Sequence, residues 1–247
     1  MRFDMNRKKL SIVIPVYNEE QAIPYLKTAL LDFGKTLPME LEVVLVNDGS
    51  SDNTKAMLHD WKHQQSGIVV CDLLVNTGHQ QAIQSGLELA TGDYVVTMDA
   101  DLQDPVPVIF DFIRKSEEGF DVVHSRRISR KNENTFRKVA AWIFYRLAKR
   151  LLNQNMLLDV GDFRLVTREA LQQYLILPDR KFVRGEIIQL QVPQAVVSYH
   201  REGRVAGVSK FSFRKLLELA WMSVRFKPFN TASSNQVDDK AQTFRSL

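Results

Sequence analysis

What most limits the fold of this sequence is a repeated unit. A short, continuously apolar run is followed by a polar cluster and then by an amphipathic stretch at helical spacing. Leu10–Tyr17 (LSIVIPVY) leads into NEE, and Leu41–Val46 leads into Asn47, Asp48, Gly49 and Ser50. Ile68–Leu74 and Tyr94–Met98 repeat the apolar run, and the latter opens into DADLQDP. Between them lie expected helices over Gln21–Phe33, from a cap at Ser51 or Asp52 through Leu58 and Trp61, over Gln80–Ala90 with Gly92 as its C-terminal cap, and over Pro107–Glu118. A short strand is expected at Asp121–His124. Continuously apolar strands at βαβ spacing are covered by helices on both faces. The expected fold class is therefore α/β: an open, mostly parallel sheet flanked by helices. Such sheets bind ligands beyond the C-terminal ends of their strands, where NEE, NDGS and DADLQD all fall.

The second half is less regular. Strands are expected at Asp159–Val166 and Val192–His200. Two helices, Phe136–Leu152 and Phe213–Phe226, carry apolar and basic sides. The stretch 231–247 is polar and reads as a flexible tail. The chain is thus expected as one domain over 1–230, with a ligand-binding half at 10–125 and a second half at 126–230. Its single cysteine, Cys71, reads as a small buried hydrophobe and excludes both an internal disulfide and a thiolate metal site. No stretch reaches the roughly 18 apolar residues of a membrane-spanning helix, and the N-terminus lacks the apolar run of a signal peptide. A peripheral membrane contact stays open. The net charge of +4 suits a phosphate-bearing partner but is too small to argue for nucleic acid.

Asp99 and Asp101 flank Ala100 just past a buried strand. In extended backbone, residues two apart point the same way. Two carboxylates facing one volume repel unless a cation separates them, and Mg2+ or Mn2+ suits such oxygens together with substrate phosphates. A solvated turn is the plainer alternative. Gln103 and Asp104 extend this polar surface. Asp48, Glu19 and Asn18 can accept hydrogen bonds from a nucleobase or ribose, or can simply form turns and helix caps. Asp159 and Asp162 bracket a glycine turn near Arg164, where they can act on an acceptor, hold a sugar, or form an internal ion pair. His200–Lys210 (HREGRVAGVSK) is a basic, glycine-bearing loop able to fold around phosphate oxygens. Arg126, Arg127, Arg130 and Lys131 form a basic run that, with the two basic helices, can face anionic lipid. His79, in the loop NTGHQQA, can approach a nucleotide, but a surface or packed role is the plainer expectation for it, as for His59, His63 and His124. Neither GxGxxG nor GxxxxGK[ST] occurs, which disfavours a dinucleotide cofactor and P-loop ATP hydrolysis.

The stretches SIVIPVYNEE, VLVNDGSSDNT, NTGHQQAIQSGLELATGDYVVTMDADLQDP, DVGDFRL and RVAGVSKFSFRKLL resemble family 2 glycosyltransferases of the inverting nucleotide-diphospho-sugar fold. They are most similar to the polyprenyl-phosphate glycosyltransferases, a group that includes bactoprenol-phosphate glucosyltransferase and dolichol-phosphate mannose synthase. The likeness runs from about Leu10 to Phe229. It implies nucleotide contacts at Pro15, Tyr17, Asn18, Glu19 and Asp48, and donor diphosphate and metal at Asp99 and Asp101, with Gln103 beside them. It further implies Arg204, Ser209 and Lys210 near the phosphates, Arg126 at an acceptor phosphate, and Asp159 and Asp162 near sugar and acceptor. From the residues themselves, Arg164 joins Arg126 and Ser209 as an acceptor-side candidate, and Asp101, Asp159, Asp162, Arg204 and Lys210 are the candidates for chemistry.

The implied reaction moves a hexose from a UDP- or GDP-sugar to undecaprenyl or dolichyl phosphate with inversion, at the cytoplasmic face of a membrane in the cell envelope. Many bacterial members continue into membrane-spanning helices after the region matching Phe213–Phe229, whereas this sequence continues as a polar stretch. A membrane protein subunit and a homo-oligomer are therefore both expected as partners to test. Val208 stands where the dolichol branch commonly has an acidic residue. A transferase with a soluble sugar or protein acceptor, and a non-catalytic nucleotide-sugar-binding module, are the competing readings.

Overall fold

A computed structural model describes residues 8–128, 160–178, 180, 182–201 and 203. The expected helices at 136–152 and 213–226, the polar stretch 231–247, and Asp159, Arg130, Lys131, Arg204, Ser209 and Lys210 all lie outside the described residues.

The described elements are β1 (Lys9–Val16), α1 (Ile23–Thr36), β2 (Glu40–Asp48), α2 (Thr54–Gln64), β3 (Ile68–Leu73), α3 (His79–Leu89), β4 (Tyr94–Thr97), α4 (Val108–Glu117), β5 (Val122–Ile128), β6 (Val160–Thr167), α5 (Arg168–Leu175), α6 (Val183–Ile188) and β7 (Gln194–His200). They build a seven-stranded sheet in the order β3-β2-β1-β4-β6-β5-β7. The first four strands run parallel. β6 then enters antiparallel between β4 and β5, and β7 closes the edge parallel to β5. The sheet is mixed, and its parallel part carries the βαβ repeat seen in the sequence.

Period-two alternation divides the core between the faces. Leu10, Ile12 and Ile14 of β1 pack with α1, α2 and α4 through Leu26, Leu30, Trp61 and Phe112. Val13, Val44 and Val46 face the other way, onto Ala82, Ile83 and Leu87 of α3 and onto α5 and α6. Gly86 lets α3 sit directly on the sheet, since a Cβ there would lie 2.3 Å from Val13 Cγ1. Pro15 is tolerated inside central β1 because Val13 and Pro15 face β4, and β4 ends at Thr97, opposite Val13. The Val13 carbonyl takes its last bond on that side from the Met98 N–H, so the missing N–H of Pro15 leaves no ladder bond unmade.

Gly92 does something other than close α3. The cap is Ala90, in extended conformation, and Arg168 Nη2 donates to the Ala90 carbonyl over 3.0 Å. Gly92 is required for close approach: a Cβ would meet Lys9 O, Ser11 N and Ser11 Oγ, each at 2.7 Å. There the buried Glu42 carboxylate accepts from Ser11 Oγ, Thr91 N and Thr91 Oγ1 and pairs with Lys9 at 2.9 Å. Burial works against the ionised form, yet these donors bring Glu42 down to about 2. Cys71 is partly rather than fully buried, on the edge strand β3.

Candidate active site

The loops leaving β1 and β2 are stitched together before any ligand is considered. The Asn18 N–H donates to Ser50 Oγ at 2.9 Å, and the Ser51 N–H returns a bond to Asn18 Oδ1 at 2.7 Å. The Glu19 N–H donates to Thr54 Oγ1 at 2.8 Å. Asn18 has φ 51°, a left-handed conformation that asparagine tolerates well. Asn18, Glu19 and the preceding Tyr17 therefore sit at the rim beside the 50–54 turn.

Asp48, at the end of β2, has local partners as well as its expected place at the ligand edge. It is 3% exposed, and its carboxylate accepts from Thr77 N at 2.7 Å, Thr77 Oγ1 at 3.0 Å and Gly78 N at 3.0 Å. Those donors tie the carboxylate to the loop that launches α3. Gly49 makes room for that loop, since with φ 66° a Cβ would lie 2.6 Å from the backbone of Val75 and Asn76.

The loop fixed by Asp48 delivers His79 to the centre of the edge. His79 Nε2 lies 3.6 Å from Asp99 Oδ1 and 3.3 Å from Asp162 Oδ2. Burial opposes its charge, but the Asp162 hydrogen bond and the Asp99 carboxylate raise its pKa above the ordinary value. Burial raises Asp99 too; His79 opposes the rise, and Asp104, Asp101 and Asp162 add to it. Asp101 is buried and accepts from the Gln103 N–H at 3.1 Å. Between them Leu102 takes φ 54°, a strained conformation for a branched side chain, immediately after the second carboxylate.

Asp104 does not extend the polar surface. It is buried and accepts from the Tyr199 hydroxyl, with Arg127 Nη2 at 3.5 Å and Arg201 Nε at 3.8 Å. Arg126, on β5, is exposed and in register with Val160. A bulge between His124 and Arg126 breaks the β5–β6 pairing beside it.

Asp162 is the most heavily bonded carboxylate of the site. Arg184 donates through Nε at 3.0 Å to Oδ1 and through Nη2 to Oδ2. Arg164 Nη2 adds 3.3 Å to Oδ1, and Gln80 Nε2 adds 3.2 Å to Oδ2. Although burial opposes ionisation, Arg184 and His79 hold Asp162 well below the usual carboxylate range. A carboxylate so held is a poor proton acceptor near neutral pH. Arg164, expected at the acceptor, is only 1% exposed and lies beneath Asp162, donating also to the carbonyls of Gly161 and Arg184. It supports the site from below.

Two contributors, Arg184 and Gln80, escaped the sequence. Arg184 sits on α6, whose six residues are too few for a helical period. Gln80 hides in the polar run HQQ. His79 carries a usable signal, because the α3 N-terminus follows β3 and must open on the same sheet edge as NEE, NDGS and DAD.

The profile of Glycosyl transferase family 2 matches residues 11–175. The bactoprenol glucosyl transferase of Shigella phage SfV is 38% identical over 214 residues, covering 86% of this chain and 69% of that protein. The prophage bactoprenol glucosyl transferase homolog of Escherichia coli (strain K12) is 36% identical over 214 residues, covering 86% and 70%. Among solved structures, glucosyl-3-phosphoglycerate synthase from Mycobacterium tuberculosis, in complex with Mn2+, UDP and phosphoglyceric acid, superposes with a TM-score of 0.59 at 20% identity, covering 88% of this chain and 76% of that one. S. aureus TarS in complex with UDP-GlcNAc gives 0.54 at 19% identity, covering 92% and 68%. At such identities these two speak for the fold. The profile and the relatives span most of the chain, and it belongs to glycosyl transferase family 2.

Proposed function

We propose that the chain transfers a hexose, with inversion, from a UDP- or GDP-sugar to a polyprenyl phosphate, working peripherally at the cytoplasmic face of a membrane. The observation that carries this reading is the state of Asp162. Ringed by Arg184, Arg164, His79 and Gln80, it is held ionised and bonded. An alcohol acceptor needs a base to take its proton. A phosphate monoester has a second pKa near 6 and is already largely a dianion at neutral pH. A site whose acceptor-side carboxylate is tied up in this way suits a nucleophile that needs no base. The names of the relatives from the Shigella phage and E. coli point to the same acceptor class.

An acceptor phosphate oxygen attacks the anomeric carbon from the side opposite the donor diphosphate. The new bond joins that oxygen to the carbon, and the electron pair of the broken bond leaves on the diphosphate. Asp99 and Asp101 would hold Mg2+ or Mn2+. Their oxygens are hard donors, and the carboxylates that crowd Asp99 leave negative charge for a cation to offset. Among the described residues, no group of three or more His, Cys, Asp or Glu forms a complete cage, so diphosphate oxygens and water would fill the remaining positions. Bound there, the cation supplies charge stabilisation for the leaving diphosphate. Among the described residues, no helix is long and apolar enough to cross a membrane. Contact with lipid would fall to the basic amphipathic stretches at 136–152 and 213–226 and to Arg126, alone or with a membrane subunit.

The test is transfer from radiolabelled UDP- and GDP-sugars into an organic-extractable polyprenyl-phosphate product, with Mg2+ or Mn2+ present. One donor should label the lipid, and Asp101→Asn should abolish labelling. Metal-dependent turnover onto a soluble acceptor, with no lipid product, would overturn the acceptor assignment.

A further inference from the structure

Arg184 is a site residue whose guanidinium is half used. Its Nε and Nη2 are both spent on Asp162, and its backbone N–H is fixed by Gln80 Oε1 at 3.2 Å. A guanidinium offers five donors in a planar fork. Holding one edge on a carboxylate leaves Nη1 pointing away along a fixed direction. Among the described residues Nη1 has no hydrogen-bond partner, and the side chain is 33% exposed. The Asp162 carboxylate that Arg184 grips lies 3.3 Å from His79 Nε2, and that nitrogen lies 3.6 Å from Asp99 Oδ1, so the guanidinium stands one side chain away from the expected metal and diphosphate carboxylates. Arg164, buried beneath, faces only protein carbonyls and Asp162. Arg127 is held through the same edge by Tyr199 and Asp104 and is 35% exposed, but it grips the buried Asp104 and not a carboxylate that His79 also bonds. Arg184 differs from Arg164 in its exposure, and from Arg127 in that the carboxylate it grips also bonds His79, which lies 3.6 Å from Asp99 Oδ1.

We propose that Arg184 contacts a substrate phosphate oxygen through its Nη1 edge, and that Asp162 acts as the positioning residue that aims it. Planar, charge-assisted recognition of phosphate is the chemistry an arginine so held performs best. Gln80 and His79 complete the arrangement by bonding Asp162 from the α3 side. This rests on the reading that donor and acceptor both carry phosphate. Either can supply the oxygen, as the donor diphosphate or as the acceptor monoester.

Two variants and two probes separate these sources. Arg184→Lys keeps a charge for Asp162 but lacks the second edge of the fork. Arg184→Gln removes the charge. Binding of UDP and GDP with Mn2+, and of undecaprenyl phosphate in detergent micelles, is measured by calorimetry beside the thermal midpoint of each variant. The expected result is an Arg184→Lys protein with a near-wild-type midpoint and at least a ten-fold weaker affinity for one probe. Weakened nucleotide names the donor diphosphate, and weakened lipid phosphate names the acceptor. Asp162→Asn should weaken the same probe by a smaller factor. If Arg184→Gln does not fold, Arg184→Lys decides alone. Nucleotide and lipid-phosphate affinities both within two-fold of wild type would overturn the proposal. A wild-type protein that binds nucleotide but no lipid phosphate would sink the acceptor assignment instead, and the nucleotide arm would still judge Arg184.

Discussion

The Tyr199 hydroxyl donates to Asp104 Oδ1 across 95 positions of sequence. It joins the last described strand to the loop that carries Asp99 and Asp101. Arg127 bonds both partners, with Nε 3.1 Å from the tyrosine oxygen. Tyr199→Phe removes one bond of this knot and should lower stability by about 1 kcal/mol. Asp104→Ala strips Arg127 and Tyr199 of their shared acceptor and should lower it by about 3 kcal/mol. Urea denaturation measures both; equal losses would mean that the carboxylate is not the centre of the knot.

Acid should loosen the protein in two stages. His124 is buried against Arg164, and burial followed by that charge pushes it down to about 3. The unfolded chain then takes a proton below about pH 6.5 that the folded chain refuses. Stability is fully present above that pH and falls as pH drops toward 3, by up to about 1.4 kcal/mol per unit. Glu42, held down to about 2, adds a second slope beginning near pH 4.5, worth about 3 kcal/mol in all. Denaturation at stepped pH should lose the first slope in His124→Gln and make the second shallower in Glu42→Gln, the remainder coming from Asp162, which Arg184 and His79 also hold low.

Glycines 86 and 92 should differ in what alanine does to them. At Gly86 the nearest atoms belong to the side chains of Val13 and Val46, which can turn. At Gly92 two of the three are backbone atoms of Lys9 and Ser11, on a central strand that cannot. Gly86→Ala should lose about 1 kcal/mol and Gly92→Ala about 3 kcal/mol, in line with overpacked cores. Denaturation midpoints of the purified variants give the order, and a reversal would contradict the geometry.

Asp48 should matter for activity through a loop it never leaves. Asp48→Ala frees Thr77 and Gly78, and with them the placement of His79. Hydrogen exchange at residues 74–79 should rise, and transfer should fall about ten-fold as positioning is lost. Faster exchange with full activity would show that His79 finds its place without the tether.

The sequence was most legible where one rule governs one segment. Apolar runs such as LSIVIPV and ELEVVLV announce buried parallel strands, and the polar clusters at their ends mark the edge where Asp99 and Asp101 lie. Legibility failed where a residue's role depends on a distant partner. Asp48 reads equally well as a ligand contact and as a tether, because Thr77 and Gly78 reach it only after β3 is laid down. Gly92 looks like a helix cap because glycine usually is one there, whereas its reason is the backbone of β1. Arg164 and Arg184 look alike in a sequence, and only packing sends one beneath Asp162 and leaves the other open.

The path of β6 bears on engineering. Leu165 pairs with Val96 on one side and Val123 on the other, so a strand late in the sequence is clamped between two early ones. A crossover after residue 128, where a chimera with a relative looks most natural to cut, would split neighbours that share one ladder. Swapping substrate preference between family members should therefore be done by grafting surface loops, because an exchanged half brings a foreign strand into the middle of the sheet.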